Sequence, residues 1–576
     1  MENTERNVEG LYQTWTSDVY FADTWEELLA VKDTPGDIRD RFYKELDFGT
    51  AGIRGVMGAG TNRMNAYVVR RLSYAIAKHI VSKGEDAMKR GIVIGYDSRN
   101  NSELYAKEAA AVYAGFGIRT YIHGEICPVP LLSFSVRHLK TEAGVMITAS
   151  HNPKEYNGYK VYGADGAQLS LEDSAGVSKI VASIEDYRSV PKFNYNFLLN
   201  IKKISIVKRS VREAYLQTIM NLAGEAPVES DLKIVYTPLH GAGAKFVPEA
   251  LSRLGLTNVT LVEEQMAPNG DFPTVKVPNP EDPGAYHIAL DLAKQNGADL
   301  ILATDPDSDR TGAYALNEQG EYEMLNGNQL GILLLSKRAS GKMPENPFAV
   351  STIVSTRLSE KICKAYGVEY VDVLTGFKFI GEQIMLREEQ GNQNFIFGFE
   401  ESYGYLAGSY ARDKDAVASC MLLAETAAFY KKQGKTLFQA LNEIYAQFGA
   451  QAETQISLTL SGEAGLAKMA KLMADLRACS GKVLDTCPSV YKDYKTSSVL
   501  HFDAAGNVTE EGTIQLPKSD VLYYTYPDFW FCLRPSGTEP KVKVYFGAGG
   551  EDRMQAQQNV AKVREMVMEK LNAFLD

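Results

Sequence analysis

Three segments of the chain repeat one pattern of apolar and amphipathic positions. Each has a short apolar run, a helical stretch that ends near a glycine, and a second apolar run. The first runs span 92–96, 234–236 and 348–354, and the glycines are Gly117, Gly255 and Gly367. A glycine after a helix favours the left-handed C′ conformation, and short strand–helix–strand links predict parallel strands. The pattern predicts three related α/β layers, with one large α/β sheet as the alternative.

The last part of the chain lacks this alternation. Apolar residues have helical spacing over 462–479, short strands are predicted at 498–502, 521–524 and 542–545, and a long amphipathic helix at 552–574. Strands bracketed by helices predict an α+β domain. The first 40 residues are predicted to form a helical extension packed on the first domain. We therefore expect four domains, with mixed or parallel sheets in the first three, around a central cleft: 1–210, 211–325, 326–455 and 456–576.

Composition narrows the class of protein. The 576 residues are 45% hydrophobic and 23% charged, with a net charge of −11. This acidic balance argues against a nucleic-acid partner, and no run reaches the ~18 apolar residues of a membrane span. The first residues lack the apolar core of a signal peptide, and six scattered cysteines indicate reduced thiols. We expect a cytoplasmic protein without a membrane partner or structural zinc, either a monomer or a weak oligomer.

A serine stands at the carboxyl end of a predicted buried strand. Ser150 follows the apolar run 144–147, has His151 as its neighbour, and is followed by Lys160 ten residues later. A hydroxyl in such a loop is usually held for chemistry rather than for packing. Ser150 is therefore a candidate catalytic residue.

A second buried strand, 299–304, ends in three alternating carboxylates, Asp305, Asp307 and Asp309. Carboxylates packed so closely repel one another unless a cation neutralises them, and hard oxygen ligands suit Mg²⁺. A solvated acidic turn is the alternative. A calcium-binding EF-hand loop is excluded because its sixth and twelfth positions are Arg310 and Leu316 here. A phosphatase with Asp305 as nucleophile would leave the Ser150 loop unexplained.

Three further segments carry weaker signals. Residues 398–404 alternate carboxylate and hydroxyl groups on a glycine-bounded loop, which suits sugar hydroxyls but also a solvated loop. Residues 534–541 combine an arginine, two hydroxyls and an exposed backbone that can surround a phosphate, although Pro-Ser-Gly is also ordinary turn chemistry. Residues 47–55 form a glycine-rich turn that ends at Arg54, where backbone amides can approach an anion.

Together these motifs resemble those of the phosphohexomutases, the phosphoglucomutase and phosphomannomutase group. The resemblance runs from Phe48 to Phe546 through five motifs in family order, and Phe399 departs from the glycine that many members have before the glutamate. It implies that Ser150 carries a phosphoryl group beside His151. It also implies that Asp305, Asp307 and Asp309 bind Mg²⁺, with the phosphate on Ser150 as a further ligand.

The resemblance also assigns roles around the substrate. Glu400 and Ser402 would hold two adjacent ring hydroxyls, and the loop with Gly376 and Lys378 would orient the sugar. Lys414, Lys160 and Arg54 would face the reacting phosphate. The residues that would grip the other phosphate are Arg534, Ser536, Gly537 and Thr538.

The implied activity is a Mg²⁺-dependent mutase that interconverts glucose 1-phosphate and glucose 6-phosphate through glucose 1,6-bisphosphate, most like the bacterial phosphoglucomutases. A phosphomannomutase or a phosphopentomutase of the same family stays open, because no residue clearly contacts C2 of the sugar. A phosphatase would release inorganic phosphate steadily. Intact Ser150 and the three aspartates argue against a non-enzymatic sugar-phosphate-binding protein.

Overall fold

A computed structural model of the chain describes residues 6–49, 52–224, 228–459, 463–536 and 541–575. The N-terminal part is the expected helical extension. Trp15 and Phe42 are buried, and the Trp15 ring packs at 5.3 Å from that of Tyr67 in the first domain. Its helices are α1 Val8–Ser17, a 3₁₀ helix Val19–Thr24, α2 Trp25–Ala30 and α3 Pro35–Phe42.

The first α/β layer has the strand order β1-β5-β4-β2-β3-β6. Its apolar strands β2 and β4 are completely buried, because helices cover both faces of the sheet. The elements are β1 Gly52–Val56, α4 Ala66–Ser82, α5 Glu85–Arg90, β2 Ile92–Tyr96, α6 Ser102–Gly115, β3 Thr120–Ile122, α7 Val129–Leu139, β4 Ala143–Ile147, β5 Tyr156–Gly163, α8 Leu171–Ala182, a 3₁₀ helix Tyr187–Ser189, α9 Tyr195–Asn200 and β6 Ile204–Ile206.

The second layer has the order β11-β10-β9-β7-β8. The helix α10 that precedes it spans the predicted domain boundary at residue 210. The elements are α10 Arg209–Met220, β7 Ile234–Thr237, a 3₁₀ helix Ala242–Lys245, α11 Phe246–Leu254, β8 Val259–Leu261, α12 Glu263–Met266, a 3₁₀ helix Pro283–Tyr286, α13 His287–Asn296, β9 Leu300–Thr304, β10 Thr311–Leu316 and β11 Tyr322–Leu325.

The third layer has the order β13-β12-β14-β15. Its first helix, α14, begins with a capping box in which the side chains and backbones of Asn326 and Gln329 bond reciprocally. The elements are α14 Gly327–Ala339, β12 Phe348–Thr352, α15 Leu358–Ala365, β13 Glu369–Val373, α16 Phe377–Glu389, β14 Phe395–Glu400, β15 Gly404–Leu406, α17 Ala416–Lys431 and α18 Leu437–Phe448.

The three layers share one core of strands. Each layer contains four neighbouring strands in which the first two pairings are parallel and the third is antiparallel. These strands are β3-β2-β4-β5, β8-β7-β9-β10 and β13-β12-β14-β15. This confirms three related layers and rules out one continuous sheet. In each layer, the end of the third strand of this core or the turn that follows it carries candidate site residues: Ser150, Asp305–Asp309, and Glu400–Ser402.

The C-terminal part is an antiparallel sheet with the order β16-β22-β21-β20-β17-β18-β19, covered by helices. The α+β prediction is confirmed, although sequence analysis did not identify β16, β17, β19 and β21. The predicted boundary at residue 455 lies inside β16. The elements are β16 Ala450–Thr459, α19 Glu463–Ala478, β17 Val490–Asp493, β18 Ser498–Phe502, β19 Val508–Thr513, β20 Leu522–Thr525, β21 Phe529–Pro535, β22 Lys541–Gly550 and α20 Arg553–Leu575.

A large apolar core joins the second and third layers. Leu254 of α11 and Leu423 of α17 belong to the same buried cluster, and the two helices pack on each other. The cysteines are all free thiols. Among the described helices, none combines the length and the apolar character that crossing a lipid bilayer requires.

Candidate active site

Ser150 lies buried directly after β4 in a constrained backbone conformation. Its φ of 52° is left-handed, which costs a non-glycine residue about 1–2 kcal/mol. The Ser150 amide donates to Thr148 Oγ1 at 2.8 Å, which helps hold this turn. The Ser150 hydroxyl donates to Asp305 Oδ2 at 2.7 Å. The structure therefore joins the first two candidate loops at one hydrogen bond.

His151 lies beside the serine hydroxyl. Its Nδ1 is 3.2 Å from Ser150 Oγ. Burial, together with the charges of Arg310 and Arg54, holds the pKa of His151 well below its ordinary value. The imidazole is therefore neutral near pH 7, and a neutral ring nitrogen can exchange a proton with the hydroxyl.

The three aspartates form a compact buried group. One carboxylate oxygen from each of Asp305, Asp307 and Asp309 lies within 4.8 Å of the others. Burial and the two neighbouring carboxylates raise the pKa of Asp305 well above its ordinary value. Asp307 Oδ1 and Asp309 Oδ1 are buried and accept no hydrogen bond from the residues that the structure describes. Unpartnered buried oxygens are costly, so this donor set fits a hard divalent cation such as Mg²⁺.

Two lysines form ion pairs with these carboxylates. Lys160 Nζ lies 2.9 Å from Asp307 Oδ2 and 3.2 Å from Asp309 Oδ2, and Lys414 Nζ lies 3.3 Å from Asp309 Oδ2. Burial opposes the charge of each lysine, but the carboxylates prevail and raise both pKa values. Both ammonium groups stay protonated near pH 7. Arg54 joins them at the surface, where its Nη1 donates to Asn152 Oδ1 at 2.8 Å.

The loop after β14 is tied to the loop of aspartates. The amide of Thr311 donates to the carbonyl of Tyr403 at 3.0 Å. Gly404 has room for no side chain, because a Cβ there would lie 2.0 Å from Lys414 Cδ. Glu400 is 7% exposed, and burial raises its pKa to about 7 against the opposing charge of Lys414. Ser402 follows on the same loop and is partly exposed.

Gly376 and Lys378 stand at the start of α16. Gly376, with a φ of 124°, precedes α16 and needs the freedom of glycine. The neighbouring Phe377 ring lies 5.3 Å from Lys414 Nζ, which links this loop to the site. Lys378 itself lines a cavity of about 280 Å³ between α4 and α16, together with Gln168. Burial lowers the pKa of Lys378.

Arg534 and Ser536 stand at the end of β21 in the C-terminal sheet. Arg534 lies opposite Lys543 of β22, so the two side chains share one face. The Ser536 amide donates to the carbonyl of Lys541 at 2.7 Å. Gly537 and Thr538 lie outside the described residues. Burial and Arg534 lower the pKa of Lys543, whereas Glu401 of the third layer opposes this shift.

Sequence analysis missed several residues of this region. Arg99 donates to the backbone carbonyls around Ser150, and Asp97 accepts from Thr148 Oγ1 at 2.7 Å. Asp413 accepts from Tyr162 Oη at 2.9 Å and pairs with Lys414. Asp97 and Arg99 directly follow strand β2, as Ser150 follows β4. Their position after a buried strand could have identified them, whereas the alignment of Lys543 with Arg534 depends on strand register.

Models of one family match the chain in four consecutive parts. Their descriptions are phosphoglucomutase/phosphomannomutase α/β/α domain I at residues 45–188, domain II at 213–318, domain III at 326–448, and the C-terminal domain at 467–565. The matches cover the Ser150 loop, the aspartates, the Glu400 loop and Arg534 in turn.

Individual proteins agree with the family match. The phosphoglucomutases of Staphylococcus aureus strains bovine RF122 and N315 are 39% and 38% identical over 512 residues, or 88% of this chain and 90% of theirs. The open form of parafusin, a Paramecium phosphoglucomutase, superposes with a TM-score of 0.68 at 16% identity, covering 92% of this chain and 96% of its own. A putative phosphomannomutase from Thermus thermophilus superposes with a TM-score of 0.64 at 23% identity, covering 91% and 99%.

Proposed function

This chain belongs to the phosphoglucomutase/phosphomannomutase family, and from that premise we propose that it interconverts α-D-glucose 1-phosphate and glucose 6-phosphate. The identity of 39% to phosphoglucomutases over most of the chain supports glucose as the sugar. One observation carries the assignment: the Ser150 hydroxyl lies 2.7 Å from a carboxylate of the buried aspartate group. Each of the four predicted domains would then contribute at least one loop to the reaction.

Ser150 is the proposed carrier of the transferred phosphoryl group. A hydroxyl oxygen of the bound sugar phosphate attacks the phosphorus on Ser150, and the bond between phosphorus and Oγ breaks. The proton of the sugar hydroxyl ends on Ser150 Oγ. The neutral His151 beside Oγ can accept that proton and transfer one to Oγ. The first transfer produces glucose 1,6-bisphosphate, and transfer of its other phosphate back to Ser150 releases the isomer.

Asp305, Asp307 and Asp309 would hold Mg²⁺, with the phosphate on Ser150 as a further ligand. When bound, Mg²⁺ would supply positive charge next to the transferring phosphoryl group. Lys160, Lys414 and Arg54 add charge on the same side. The neighbouring ammonium groups of Lys160 and Lys414 are protonated, so their role is to stabilise negative charge.

Glu400 and Ser402 are proposed to bind two adjacent sugar hydroxyls and so to hold the bisphosphate in both orientations. Gly376 and Lys378 would guide the sugar from the neighbouring loop. The buried setting of Glu400 supports this role, because a carboxylate away from water forms strong hydrogen bonds to hydroxyls. The loop stays joined to the aspartate loop through the contact between Thr311 and Tyr403.

The phosphate that is not transferred would bind to the C-terminal domain. Arg534, Ser536, Gly537 and Thr538 are the proposed ligands, and Lys543 shares the face of Arg534. Two cations on one face suit a dianionic phosphate. We propose further that the protein is cytoplasmic, acts on a soluble sugar phosphate without nucleic acid, and is a monomer or weak oligomer.

Turnover of three sugar phosphates tests the proposal. The purified protein is assayed with glucose, mannose and ribose 1-phosphates in the presence of Mg²⁺ and a trace of glucose 1,6-bisphosphate. We expect the highest kcat/KM with glucose 1-phosphate. A preference for mannose or ribose 1-phosphate would contradict the assigned sugar, and steady release of inorganic phosphate would contradict a mutase.

A further inference from the structure

An aromatic ring from the second layer covers the arginine that holds the Ser150 loop. Phe272 lies between α12 and α13, and its ring centroid is 5.1 Å from the guanidinium carbon of Arg99. The Phe272 side chain is 2% exposed. Its φ of 44° is left-handed, which is a rare and strained conformation for a bulky residue. Strain of this kind persists only where the surroundings fix the residue, so the ring is held against Arg99.

Arg99 binds the backbone of the serine and of the residues that follow it. Its Nη2 donates to the carbonyls of Ser150 and Asn152, and its Nη1 donates to those of Pro153 at 2.9 Å and Tyr156 at 3.1 Å. Its side chain is completely buried, with Asp97 Oδ2 at 3.4 Å from Nε. One planar guanidinium thus fixes four carbonyls between the end of β4 and the start of β5, which a lysine could not do.

The segment that carries Phe272 packs tightly on the residues next to Arg99. A Cβ on Gly270 would lie 2.3 Å from the amide nitrogen of Asn100, so the two backbones touch. Asn100 Nδ2 donates to Asp271 Oδ1 at 2.9 Å. This turn of the second layer, residues 269–272, is therefore packed tightly on the first layer and is not a free surface loop.

We propose that Phe272 and Arg99 are positioning residues for phosphoryl transfer. The ring shields the guanidinium from water, and the shielded guanidinium keeps Ser150 in its left-handed conformation with Oγ directed at Asp305. This inference rests on the proposed role of Ser150. In this proposal the second layer has two roles: it provides the aspartates, and through Phe272 and Arg99 it aligns Ser150. The gain is alignment, since misplacement by about 1 Å can cost 10²-fold in rate.

The test compares two leucine variants of matched phenylalanines. Phe246 is also 2% exposed, and the guanidinium carbon of Arg212 lies 4.8 Å from its ring, but its ring contacts are with Arg212 and Tyr215 of α10. We expect Phe272→Leu to lower kcat about tenfold or more while KM changes less than twofold. Phe246→Leu should leave both constants near those of the wild type. Equal kinetic effects in the two variants would overturn the proposal.

Hydrogen exchange measured by mass spectrometry tests the same inference without turnover. Phe272→Leu should speed exchange of the amides from 150 to 157, and Phe246→Leu should not. Arg99→Lys serves as a second variant and should give the same local change. Unaltered exchange in both Phe272→Leu and Arg99→Lys would overturn the positioning role. A wild type without mutase turnover would contradict the proposed function instead, while the exchange comparison would still decide the positioning.

Discussion

Ser150 Oγ donates a 2.7 Å hydrogen bond to Asp305 Oδ2. The two residues follow the corresponding strands β4 and β9 of two related layers. The carboxyl ends of these strands meet, so a hydroxyl and three carboxylates share one buried space. This juxtaposition supports phosphoryl transfer better than simple binding, because it places a hydroxyl that can carry a phosphoryl group next to an acidic group that can hold a divalent cation.

Removal of the serine hydroxyl should abolish turnover without unfolding the protein. We expect Ser150→Ala to lower kcat at least about a hundredfold, because no phosphoryl carrier remains. Ser480 offers a control, since it also has a left-handed φ, of 46°, in the C-terminal domain. Ser480→Ala should keep full activity. Circular dichroism checks both folds, and more than a few per cent of activity in Ser150→Ala would argue against the carrier role.

Arg534 should matter for binding more than for the chemical step. Arg534→Ala removes the proposed charged donor to the phosphate, so we expect KM to rise about tenfold with a smaller change in kcat. Arg477→Ala is the control in the same domain, because Arg477 pairs with Asp493 at 3.1 Å instead. Steady-state kinetics separate the two constants. An unchanged KM with a much lower kcat in Arg534→Ala would contradict the assignment.

Activity should depend on the ionisation of Glu400. Burial raises the pKa of this carboxyl to about 7, so the carboxylate that we propose accepts from sugar hydroxyls forms only as pH rises through that value. The ratio of wild-type kcat/KM to that of Glu400→Gln should therefore increase between pH 6 and 8. The substrate phosphate titrates equally for both enzymes, and the ratio cancels it. A ratio independent of pH would rule out this contribution.

A second buried glutamate should make stability depend on pH. Glu453 of β16 accepts from Asn328 Nδ2 at 3.1 Å, and burial raises its pKa to about 7. Below pH 7 the folded state then binds more protons than the unfolded state. The free energy of unfolding therefore decreases as pH rises towards 7. Glutamine does not titrate, so in Glu453→Gln the decrease in the free energy of unfolding with pH should be smaller, by up to about 3 kcal/mol. Urea unfolding of both proteins at pH 5 and 8 measures the difference, and parallel curves would contradict it.

Much of this fold follows from local sequence signals. The glycines Gly117, Gly255 and Gly367 all adopt the positive φ that the repeated pattern predicts after each helix. The buried strands before Ser150 and Asp305 were also evident, because continuous apolar runs mark strands covered on both faces. By contrast, most residues of β16 are partly buried or exposed, and the strand has no continuous apolar run. Its pairing with the distant β22 depends on tertiary contacts.

The site was predictable as a set of loops but not as a geometry. Sequence motifs named Ser150, Asp305 and Lys414, yet the contacts between them require three separate sheets to pack together. Arg99 and Phe272 are 173 positions apart in the chain, and no local pattern predicts that one covers the other. Tertiary neighbours also determine which charges persist: burial raises the pKa of Asp305, whereas the charges of Lys414 and Lys160 overcome burial and lower the pKa of Asp309.

Transfer of phosphate from Ser150 to the sugar is the central claim, and a single-turnover experiment measures it directly. The protein is isolated with a labelled phosphoryl group on Ser150, confirmed by mass spectrometry, and mixed with unlabelled glucose 1-phosphate and Mg²⁺. We predict that the label leaves Ser150 at the rate of catalysis and appears in hexose bisphosphate and then in glucose 6-phosphate. Label that stays on Ser150 during turnover, or a serine that is never phosphorylated in active protein, would contradict the account.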